Sequence, residues 1–462
     1  MPPYVLEALA ASGDPHLEAH ASATLAVDRA LRHGRRTGTL RPEGAGGRPR
    51  VARGGPDAPQ RVVYDARGGT TLPGTRVRGE GDPLTDDTAV TEAYDGLGAT
   101  WTLWSEAYER NSLDGKGLPL LASVHYGRLY DNAFWDGSQM VFGDGDGVVF
   151  LGFTRSLDVI GHELAHGVTQ YTSGLNYQDQ SGALNESVSD VFGVLVAQHL
   201  RGQTADEADW LVGAELLAPG VKGVALRSMA APGTAYDDPR LGRDPQPAHM
   251  DGYVDTTDDN GGVHINSGIP NKAFHVVATT LGGNAWEAAG QVWHDTITGD
   301  IRADCDFATF AGLTVAAATR RFGEGSREVD AVRSGWDAVG VSTEGGSPRA
   351  RGRGESAGSP PADDATDAGT RVRVRRTGGV AGIVRERTVA IEALPDPDTR
   401  AWQRLLADDH LPRLAAAAEE HRARPDAFCY SVHCERPAVE VDLPEPVVPD
   451  EVRDLLERTL AA

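Results

Sequence analysis

One short segment, GHELAH at residues 161–166, constrains this 462-residue chain more than any other part of it. Apolar side chains around it recur at three- and four-residue steps, namely Leu157, Ile160, Leu164 and Val168. This period predicts an amphipathic helix that ends by Gly174. His162 and His166 lie one turn apart on such a helix, so both imidazoles can reach one Zn²⁺. Glu163 lies beside them and can take a proton from a water at the metal.

A zinc site built this way needs a third protein ligand and an open fourth position. A second amphipathic pattern follows along the chain, with its apolar face at Val188, Val191, Phe192 and Leu195. Glu186 and Asp190 share the other face of this predicted helix, one turn apart. The spacing fits Glu186 as the third ligand and Asp190 as a carboxylate that orients a ligand histidine. We therefore predict a site for one zinc ion.

The two segments together, HELAH at 162–166 and NESVSD at 185–190, resemble the thermolysin family of zinc endopeptidases. Further segments agree with that family in the same order: NAFW at 132–135, GDGDG at 143–147, LRSM at 226–229 and DNGGVHINSG at 259–268. The resemblance covers about residues 81–341. It implies an α+β fold of two lobes, with a mixed α/β N-lobe, a mainly α-helical C-lobe and the HExxH helix between them.

By this resemblance, Glu163 acts as the general base, and Tyr177 and His264 donate hydrogen bonds to the oxyanion of the tetrahedral intermediate. Asp259 is then the carboxylate that orients His264. The residues expected to hold the two ligand histidines in place are Asn185 and Asp190. Taken singly, Tyr177 could be a surface tyrosine and Arg227 a salt-bridge partner, but their order along the chain with the metal motif favours the functional interpretation.

The resemblance also implies how a peptide substrate binds. An edge strand at 132–135 is expected to pair with an extended substrate, through the Asn132 side chain and the Ala133 carbonyl. Arg227 is expected to bind a substrate carbonyl on the leaving side. The side chains that match the pocket for the residue after the scissile bond are all apolar: Phe150, Phe153, Val159, Val212 and Leu226. We therefore expect a preference for a large apolar residue at P1'.

Calcium is where the chain departs from the secreted members of the family. Asp158 and Asp209 stand at positions that match the family's double calcium site. Alanine or leucine stands where further acids are expected, at Ala197, Leu211 and Ala214. Two carboxylates are few for a cation that takes six to eight oxygens. We predict that the double site is absent, with at most one weak Ca²⁺.

The formal net charge of −23 argues against nucleic acid and anionic membranes as partners. Three cysteines are too few for a disulfide framework. No segment approaches the length of apolar sequence that would span a bilayer. The first ten residues have no basic region and Glu7 interrupts their apolar run, so we expect no secretory signal. We expect a cytoplasmic monomer. Export by a route that needs no signal peptide is the alternative.

Residues 1–60 are predicted to be a propeptide with helices at 4–10 and 20–33. The opening Pro2-Pro3-Tyr4 resembles the short propeptide of protealysin-like members. That resemblance implies an intramolecular inhibitor, removed by cleavage in the glycine-, proline- and arginine-rich linker at 41–61. The alternative is a packing arm that stays attached.

The rest of the chain divides by pattern. We predict a peptidase N-lobe at 61–153, with strands at 62–64, 122–126 and 139–142 and a helix at 88–110. The metal helices and the C-lobe follow at 154–341, with helices at 205–217, 271–281, 285–298, 307–321 and 326–339. The segment 342–369 is rich in glycine, serine, proline and charge, which predicts a flexible linker.

A third unit at 370–462 is predicted to be a small α+β domain, with strands near 371–375, 388–391, 428–433 and 439–443 and helices at 398–423 and 449–460. Its opening, RVRVRRTGGVAG at 371–382, resembles emfourin, a small protein inhibitor of protealysin-like enzymes. The resemblance implies an inhibitory or regulatory domain. An accessory domain for stability or targeting, and a module that recruits substrates, are the alternatives.

An alternative from another functional class is that the whole chain is a catalytically silent protein that binds zinc or other proteins. The presence of Glu163, Tyr177 and His264 together speaks against silence, because an inactive relative would be free to lose them. We therefore expect a zinc endopeptidase that is made as a latent precursor. Its expected partners are peptide or protein substrates, its own propeptide in the cleft, and its C-terminal domain as a further candidate for the cleft.

Overall fold

The computed structural model describes residues 1–37, 51, 55, 58–343, 370–378 and 385–391, together with strands and single positions between 399 and 459. The described residues form two compact units, one up to residue 343 and one from residue 370 onward. The predicted linkers at 41–61 and 342–369 lie largely outside the described residues. Most of the predicted helix at 398–423 also lies outside them.

The N-terminal segment forms two helices, α1 (Pro3–Ala10) and α2 (Pro15–Thr37). Each begins with a proline, whose fixed φ suits the first helical position and whose missing N–H costs nothing there. The Asp14 carboxylate accepts a hydrogen bond from the His16 amide at 2.9 Å and caps α2. Both predicted helices are present, and α2 begins earlier and ends later than the sequence pattern indicated.

A five-stranded mixed sheet forms the N-lobe, in the order β2-β1-β3-β5-β4. Its strands are β1 (Arg61–Asp65), β2 (Thr75–Gly79), β3 (Leu120–Val124), β4 (Ala133–Trp135) and β5 (Met140–Phe142). The three central strands are parallel, and β2 and β4 pair antiparallel at the two edges. The segment predicted as an edge strand is therefore an edge strand, and it lies beside the metal helices.

Three long helices connect the sheet to the C-lobe: α3 (Thr88–Tyr108), α4 (Leu157–Tyr171) and α5 (Asp179–Arg201). The Asp87 carboxylate caps α3 by accepting from the Val90 amide at 3.2 Å. Trp104 of α3 packs on Phe192 of α5 with ring centroids 4.4 Å apart. This packing buries both rings and fixes α5 behind α4, where the two predicted metal segments meet.

The C-lobe is mainly helical, with α6 (Asp259–Asn266), α7 (Gly268–Leu281), α8 (Ala288–Ile297), α9 (Phe307–Phe322) and α10 (Arg327–Asp337). Two short antiparallel ladders precede these helices, β6 (Leu211–Val212) with β7 (Arg227–Ser228) and β8 (Asp237–Asp238) with β9 (Gly242–Arg243). Trp293 of α8 and Trp336 of α10 are fully buried and stack at 6.1 Å between ring centroids. The predicted α+β class and its two lobes are confirmed.

The predicted helix at 205–217 is wrong. The chain there forms the short strand β6, followed by a 3₁₀ turn at Ala214–Leu216. Trp210 and Gly213 both adopt positive φ, which a helix does not tolerate. The Asp209 carboxylate accepts from the Leu211 amide at 3.0 Å, and pairing with β7 supplies the remaining backbone bonds. A local turn and tertiary pairing thus outweigh the apolar spacing.

The C-terminal unit contains a four-stranded antiparallel sheet in the order β11-β10-β12-β13. Its strands are β10 (Arg371–Gly378), β11 (Arg385–Ala390), β12 (Phe428–Cys434) and β13 (Val439–Pro444). Val374 pairs with Val432 in the register, and both side chains are buried. The Trp402 indole lies in this small core and donates to the Thr459 hydroxyl at 2.8 Å. Alternation of arginine and valine in β10 therefore buries one face of the sheet.

Within the described part of the chain, no helix combines the length and apolar character needed to cross a lipid bilayer.

Candidate metal centre and active site

Close packing of α4 on α5 builds the centre of the site. A side chain at Gly193 would place its Cβ 2.3 Å from the Asp158 carbonyl oxygen, and one at Gly161 would place it 3.0 Å from the Gly193 Cα. Only glycine allows the two helices to approach this closely. The approach brings the two histidines of α4 opposite Glu186 and Asp190 of α5.

The three predicted ligands converge. The Nε2 atoms of His162 and His166 each lie 3.5 Å from a different oxygen of the Glu186 carboxylate. Tetrahedral zinc with ligand bonds of about 2.1 Å separates its ligand atoms by about 3.4 Å. Among the described residues, these three are the group of histidine, cysteine and carboxylate side chains arranged to hold a metal ion. The donor set and its spacing both fit zinc.

Hydrogen bonds turn the two imidazoles so that their Nε2 atoms face the centre. His162 Nδ1 lies 2.7 Å from Asp190 Oδ1, and His166 Nδ1 lies 2.8 Å from Asn185 Oδ1. The Asn185 amide is itself fixed, because its Nδ2 donates to the Leu175 carbonyl at 2.9 Å. Each Nδ1 therefore carries the proton and leaves the Nε2 lone pair free for a metal.

Asp190 is held from three directions in the interior. Arg227 donates to both of its oxygens, at 2.6 and 2.8 Å, and Asn271 donates to Oδ2 at 2.8 Å. Burial alone would raise the pKa of Asp190, but Arg227 and His162 outweigh it and hold that pKa well below its usual value. Asp190 is thus a permanent carboxylate. Arg227, predicted to bind a substrate carbonyl, is committed to Asp190 on two of its nitrogens.

Glu163 lies between the metal ligands and the edge strand β4. Its Oε2 accepts hydrogen bonds from the Trp135 amide at 3.1 Å and from Arg35 Nη2 at 3.0 Å. Burial would raise the pKa of this carboxyl, but the Arg35 guanidinium leads the effects that outweigh burial and lower the pKa to about 2. In this arrangement Glu163 is ionised and within reach of the space in front of the ligands.

Tyr177 and His264 both approach the Glu186 carboxylate. The Tyr177 hydroxyl donates to Glu186 Oε1 and lies 3.4 Å from His264 Nε2. His264 Nδ1 lies 2.7 Å from Asp259 Oδ1, and Asp259 Oδ2 accepts from the His264 amide at 2.8 Å. The carboxylate therefore fixes both the ring and the backbone of His264, with Nε2 turned toward Tyr177.

The turn that presents His264 has an unusual backbone. Asp259, Asn260, Gly261 and Gly262 at the start of α6 all adopt positive φ, between 50° and 83°. A Cβ at Gly261 would lie 2.0 Å from Asp179 Oδ1, so glycine is required there. Gln246 supports the turn from outside, because its Nε2 donates to the His264 carbonyl at 2.8 Å.

The apolar residues predicted for the substrate pocket divide into two groups. Phe153, Val159 and Leu226 line the cleft next to the metal ligands, with Asn132, Ala133 and Arg227 on its rim. Phe150 and Val212 are fully buried and are not among the residues that line the cleft while α2 occupies it. Phe150 packs behind Phe153 with ring centroids 6.0 Å apart. These two residues shape the cleft wall without forming its surface.

Sequence reasoning missed four residues of this site: Ser189, Asn271, Gln246 and Arg35. Ser189 Oγ lies 3.0 Å from His166 Nδ1. Its position next to Asp190 on α5 is a signal that could have been used. The other three come from distant segments, and nothing in their local sequence distinguishes them from ordinary polar residues.

The N-terminal helix α2 covers the cleft. Asp28 accepts from Asn132 Nδ2 and from the Tyr130 hydroxyl, each at 2.8 Å, and His20 Nδ1 lies 2.9 Å from Asp131 Oδ1. Burial raises the pKa of Asp131 to about 6. With α2 in place the space left in the cleft is ≈ 40 Å³, which is room for a few water molecules. A peptide substrate does not fit in this arrangement.

Comparison with known proteins agrees with this geometry. Residues 56–170 match the family model of the thermolysin metallopeptidase catalytic domain, residues 173–341 match that of its alpha-helical domain, and residues 374–460 match emfourin. The chain is 55% identical over 282 residues to an extracellular metalloprotease of Pectobacterium carotovorum subsp. carotovorum, covering 61% of this chain and 81% of that one. It is 56% identical over 288 residues to protease PrtS of Photorhabdus sp. (strain Az29), covering 62% and 77%.

A solved structure is also similar, that of the precursor of protealysin, a metalloproteinase from Serratia proteamaculans. It aligns with a TM-score of 0.67 at 51% identity and covers 74% of this chain and 99% of that one. The resemblance drawn from the motifs is therefore confirmed along the peptidase and in the C-terminal domain. This chain belongs to the thermolysin family of metallopeptidases and carries an emfourin domain after its peptidase.

Proposed function

We propose that this metallopeptidase cleaves peptide bonds with Glu163 as general base, at one zinc ion held by His162, His166 and Glu186. The observation that carries the proposal is the convergence of the Nε2 atoms of His162 and His166 on one buried carboxylate at tetrahedral spacing. Burial, together with Arg35, lowers the pKa of His166 to about 3, which keeps that ring neutral. A cluster of neutral nitrogens around a carboxylate is what a divalent metal requires.

Bound zinc would supply a Lewis acid that polarises the scissile carbonyl and acidifies a water. Glu163 accepts the proton of that water, because its carboxylate is ionised and lies beside the ligands. Tyr177 and His264 donate hydrogen bonds where negative charge develops on the carbonyl oxygen. Asp259 keeps His264 turned toward that oxygen, and Asn185 and Asp190 keep the ligand rings in place.

Substrate binding follows from the cleft wall. An extended peptide would add to the free edge of β4, with its backbone recognised by the Asn132 side chain and the Ala133 carbonyl. Phe153, Val159 and Leu226 offer an apolar surface next to the ligands. We propose that this surface selects a large apolar residue at P1', with Arg227 bordering it. The preference should appear as a difference in kcat/KM between peptides that differ only at that position.

Latency is the second part of the proposal. We infer that residues 1–60 act as a propeptide, because Asp28 occupies the amide of Asn132 and Arg35 occupies Glu163, two groups that the proposed reaction uses. The similar solved structure is also that of a precursor. The emfourin domain is of an inhibitor type, and we propose that it restrains the peptidase. A recruiting role for this domain is the alternative.

We further propose that the double calcium site is absent. Asp158 is buried and its oxygens accept from the Ser156 hydroxyl and from the amides of Val159 and Gly213. Burial raises the pKa of this carboxyl to about 6. A carboxyl satisfied by the protein in this way has little capacity left for a cation. Calcium titration of the purified chain by calorimetry tests this proposal.

Casein cleavage tests the proposed mechanism. The parent chain, Glu163→Gln and the exposed control Glu324→Gln are each treated with trypsin to remove the N-terminal segment, and the trypsin is then inhibited. The parent and the control should cleave casein, and a zinc chelator should abolish this activity. Glu163→Gln should lose activity by at least about 10²-fold, since it lacks the base. Equal cleavage by Glu163→Gln would overturn the mechanism.

A further inference from the structure

Arg35 of α2 enters the catalytic centre itself. Its Nη2 donates to Glu163 Oε2 at 3.0 Å, and its Nη1 lies 3.4 Å from His166 Nε2. The guanidinium carbon also lies 5.4 Å from the centroid of the Tyr177 ring. The Arg35 side chain is 13% exposed and that of Glu163 is 6% exposed, so this ion pair is largely withdrawn from water. Arg35 therefore contacts a metal ligand, the general base and an oxyanion donor at once.

The contact with His166 uses the atom that a metal needs. His166 Nδ1 faces the side-chain Oδ1 of Asn185 and carries the proton, so Nε2 has a single lone pair that points into the centre. Arg35 has only N–H donors and no acceptor. Its contact with Nε2 therefore places a donor hydrogen on that lone pair. One lone pair cannot accept a hydrogen bond and bind a metal ion at the same time.

Charge adds to this geometric conflict. The guanidinium remains charged in the site, because arginine is not deprotonated in proteins and Arg35 lies 3.0 Å from the Glu163 carboxylate. A divalent metal and a guanidinium within the same ligand cluster repel each other, and a buried setting screens that repulsion weakly.

We propose that Arg35 is an internal competitor of the catalytic metal, so that seating of α2 and loading of zinc at His166 oppose each other. This inference rests on the proposed zinc peptidase function and adds a regulatory contact to the same site. Linkage makes the coupling reciprocal. Docking of α2 lowers the affinity of the site for zinc by the same factor by which bound zinc lowers the affinity of the peptidase for α2. Scarce zinc would then keep the precursor closed, and abundant zinc would favour release of its inhibitory helix.

The test measures zinc affinity on the full chain by competition with a chromogenic chelator. All chains carry His264→Ala, which leaves the three ligands intact and slows self-cleavage by roughly 10²-fold; intact mass is checked after each titration. Arg35→Ala and Arg35→Gln remove the competing cation. Arg29→Ala is the matched control, since Arg29 is an exposed arginine of the same helix.

Both Arg35 variants should bind zinc about 10- to 100-fold more tightly than the parent, the range expected for loss of one competing charged hydrogen bond. Arg29→Ala should stay within about twofold of the parent. A second readout is thermal unfolding with and without zinc. Arg35→Gln should lower the Tm of the metal-free chain and leave that of the zinc-loaded chain nearly unchanged.

Equal zinc affinity in the parent and both Arg35 variants would overturn the competition and leave the peptidase proposal intact. An equal loss of Tm with and without zinc would overturn it as well, because Arg35 would then stabilise both forms alike. Absence of zinc binding in every chain, together with no casein cleavage by the trypsin-treated chain that retains His264, would instead overturn the proposed function itself. The two failures are therefore distinguishable.

Discussion

At the scale of single residues, buried polar side chains support the candidate metal ligands from behind. Asn271 is fully buried on α7 and donates to Asp190 Oδ2, while Asp190 orients the ligand His162. Loss of such an outer partner typically weakens metal binding by 10- to 100-fold. We predict that Asn271→Ala lowers zinc affinity by about tenfold in a chelator competition.

The control for this prediction is Asn284→Ala, a change on the surface of the same lobe, which should leave zinc affinity unchanged. Circular dichroism would confirm that both variants fold. If Asn271→Ala bound zinc as tightly as the parent, the chain of contacts from Asn271 through Asp190 to His162 would have no role in holding the metal.

His264 gives a second prediction at this scale. Its Nε2 is turned toward Tyr177 by the paired bonds from Asp259, as an oxyanion donor requires. His264→Ala should lower kcat by about 10²-fold on a peptide substrate, because the donor acts mainly in the transition state. KM and zinc affinity should change little. A variant that lost affinity for substrate with no loss of kcat would assign His264 to ground-state binding instead, and His249→Ala serves as the surface control.

Residues in compact local motifs could be predicted from the sequence. His162, Glu163 and His166 share one helical turn and a half, and Glu186 and Asp190 share one face of the next helix, so helix geometry alone places them together. Arg35, Gln246 and Asn271 could not be predicted, because each reaches the site through tertiary packing of a separate element. Phe150 and Val212 show the converse limit, since apolar residues in the right segment can lie behind the pocket wall.

At the scale of elements, His125 bridges the loop that contains Asp144 and the start of helix α3. Its Nδ1 lies 2.8 Å from Asp144 Oδ1, and its Nε2 lies 3.0 Å from Asp87 Oδ2, the residue that caps α3. Hydrogen bonding to Asp144 raises the pKa of His125 from 6.5 to about 9, against the effect of burial. The folded state therefore favours the protonated ring.

Because the folded pKa lies above the unfolded one, the stabilisation is fully present below pH 6.5 and is lost as pH rises through about 9. The ring is partly exposed, so solvent screening limits the effect to about 1 kcal/mol. Between pH 6.5 and 9, we predict that the free energy of unfolding falls further in the parent than in His125→Gln. The difference between the two falls should be about 1 kcal/mol. Denaturant titrations at several pH values measure it, and identical pH profiles would contradict it.

Long elements with one clear period were predictable, and short ones were not. The helices α3, α9 and α10 match their predicted spans closely, because many residues repeat the same apolar spacing and side-chain caps mark their starts. The strand β2 was missed, because its alternation is carried by arginines, one of which, Arg78, is buried over the Tyr94 ring at 3.7 Å. The strand β6 was mistaken for part of a helix, because pairing with β7 decides its conformation.

At the scale of the whole molecule, the emfourin domain gives the clearest test of regulation. Deletion of residues 370–462 from the trypsin-treated chain should raise activity on a small peptide. A tethered inhibitor works at a local concentration near the millimolar range, so we predict a rise of roughly tenfold or more. If activity on the small peptide stayed level while activity on casein fell, the domain would recruit substrates and would not inhibit.

The proposed function depends on one metal ion at one place. Crystals of the full chain grown with excess zinc would yield an anomalous difference map at the zinc absorption edge. We expect a single strong peak about 2.0–2.2 Å from His162 Nε2, His166 Nε2 and a carboxylate oxygen of Glu186. A zinc-saturated crystal with no peak among those three side chains would contradict it.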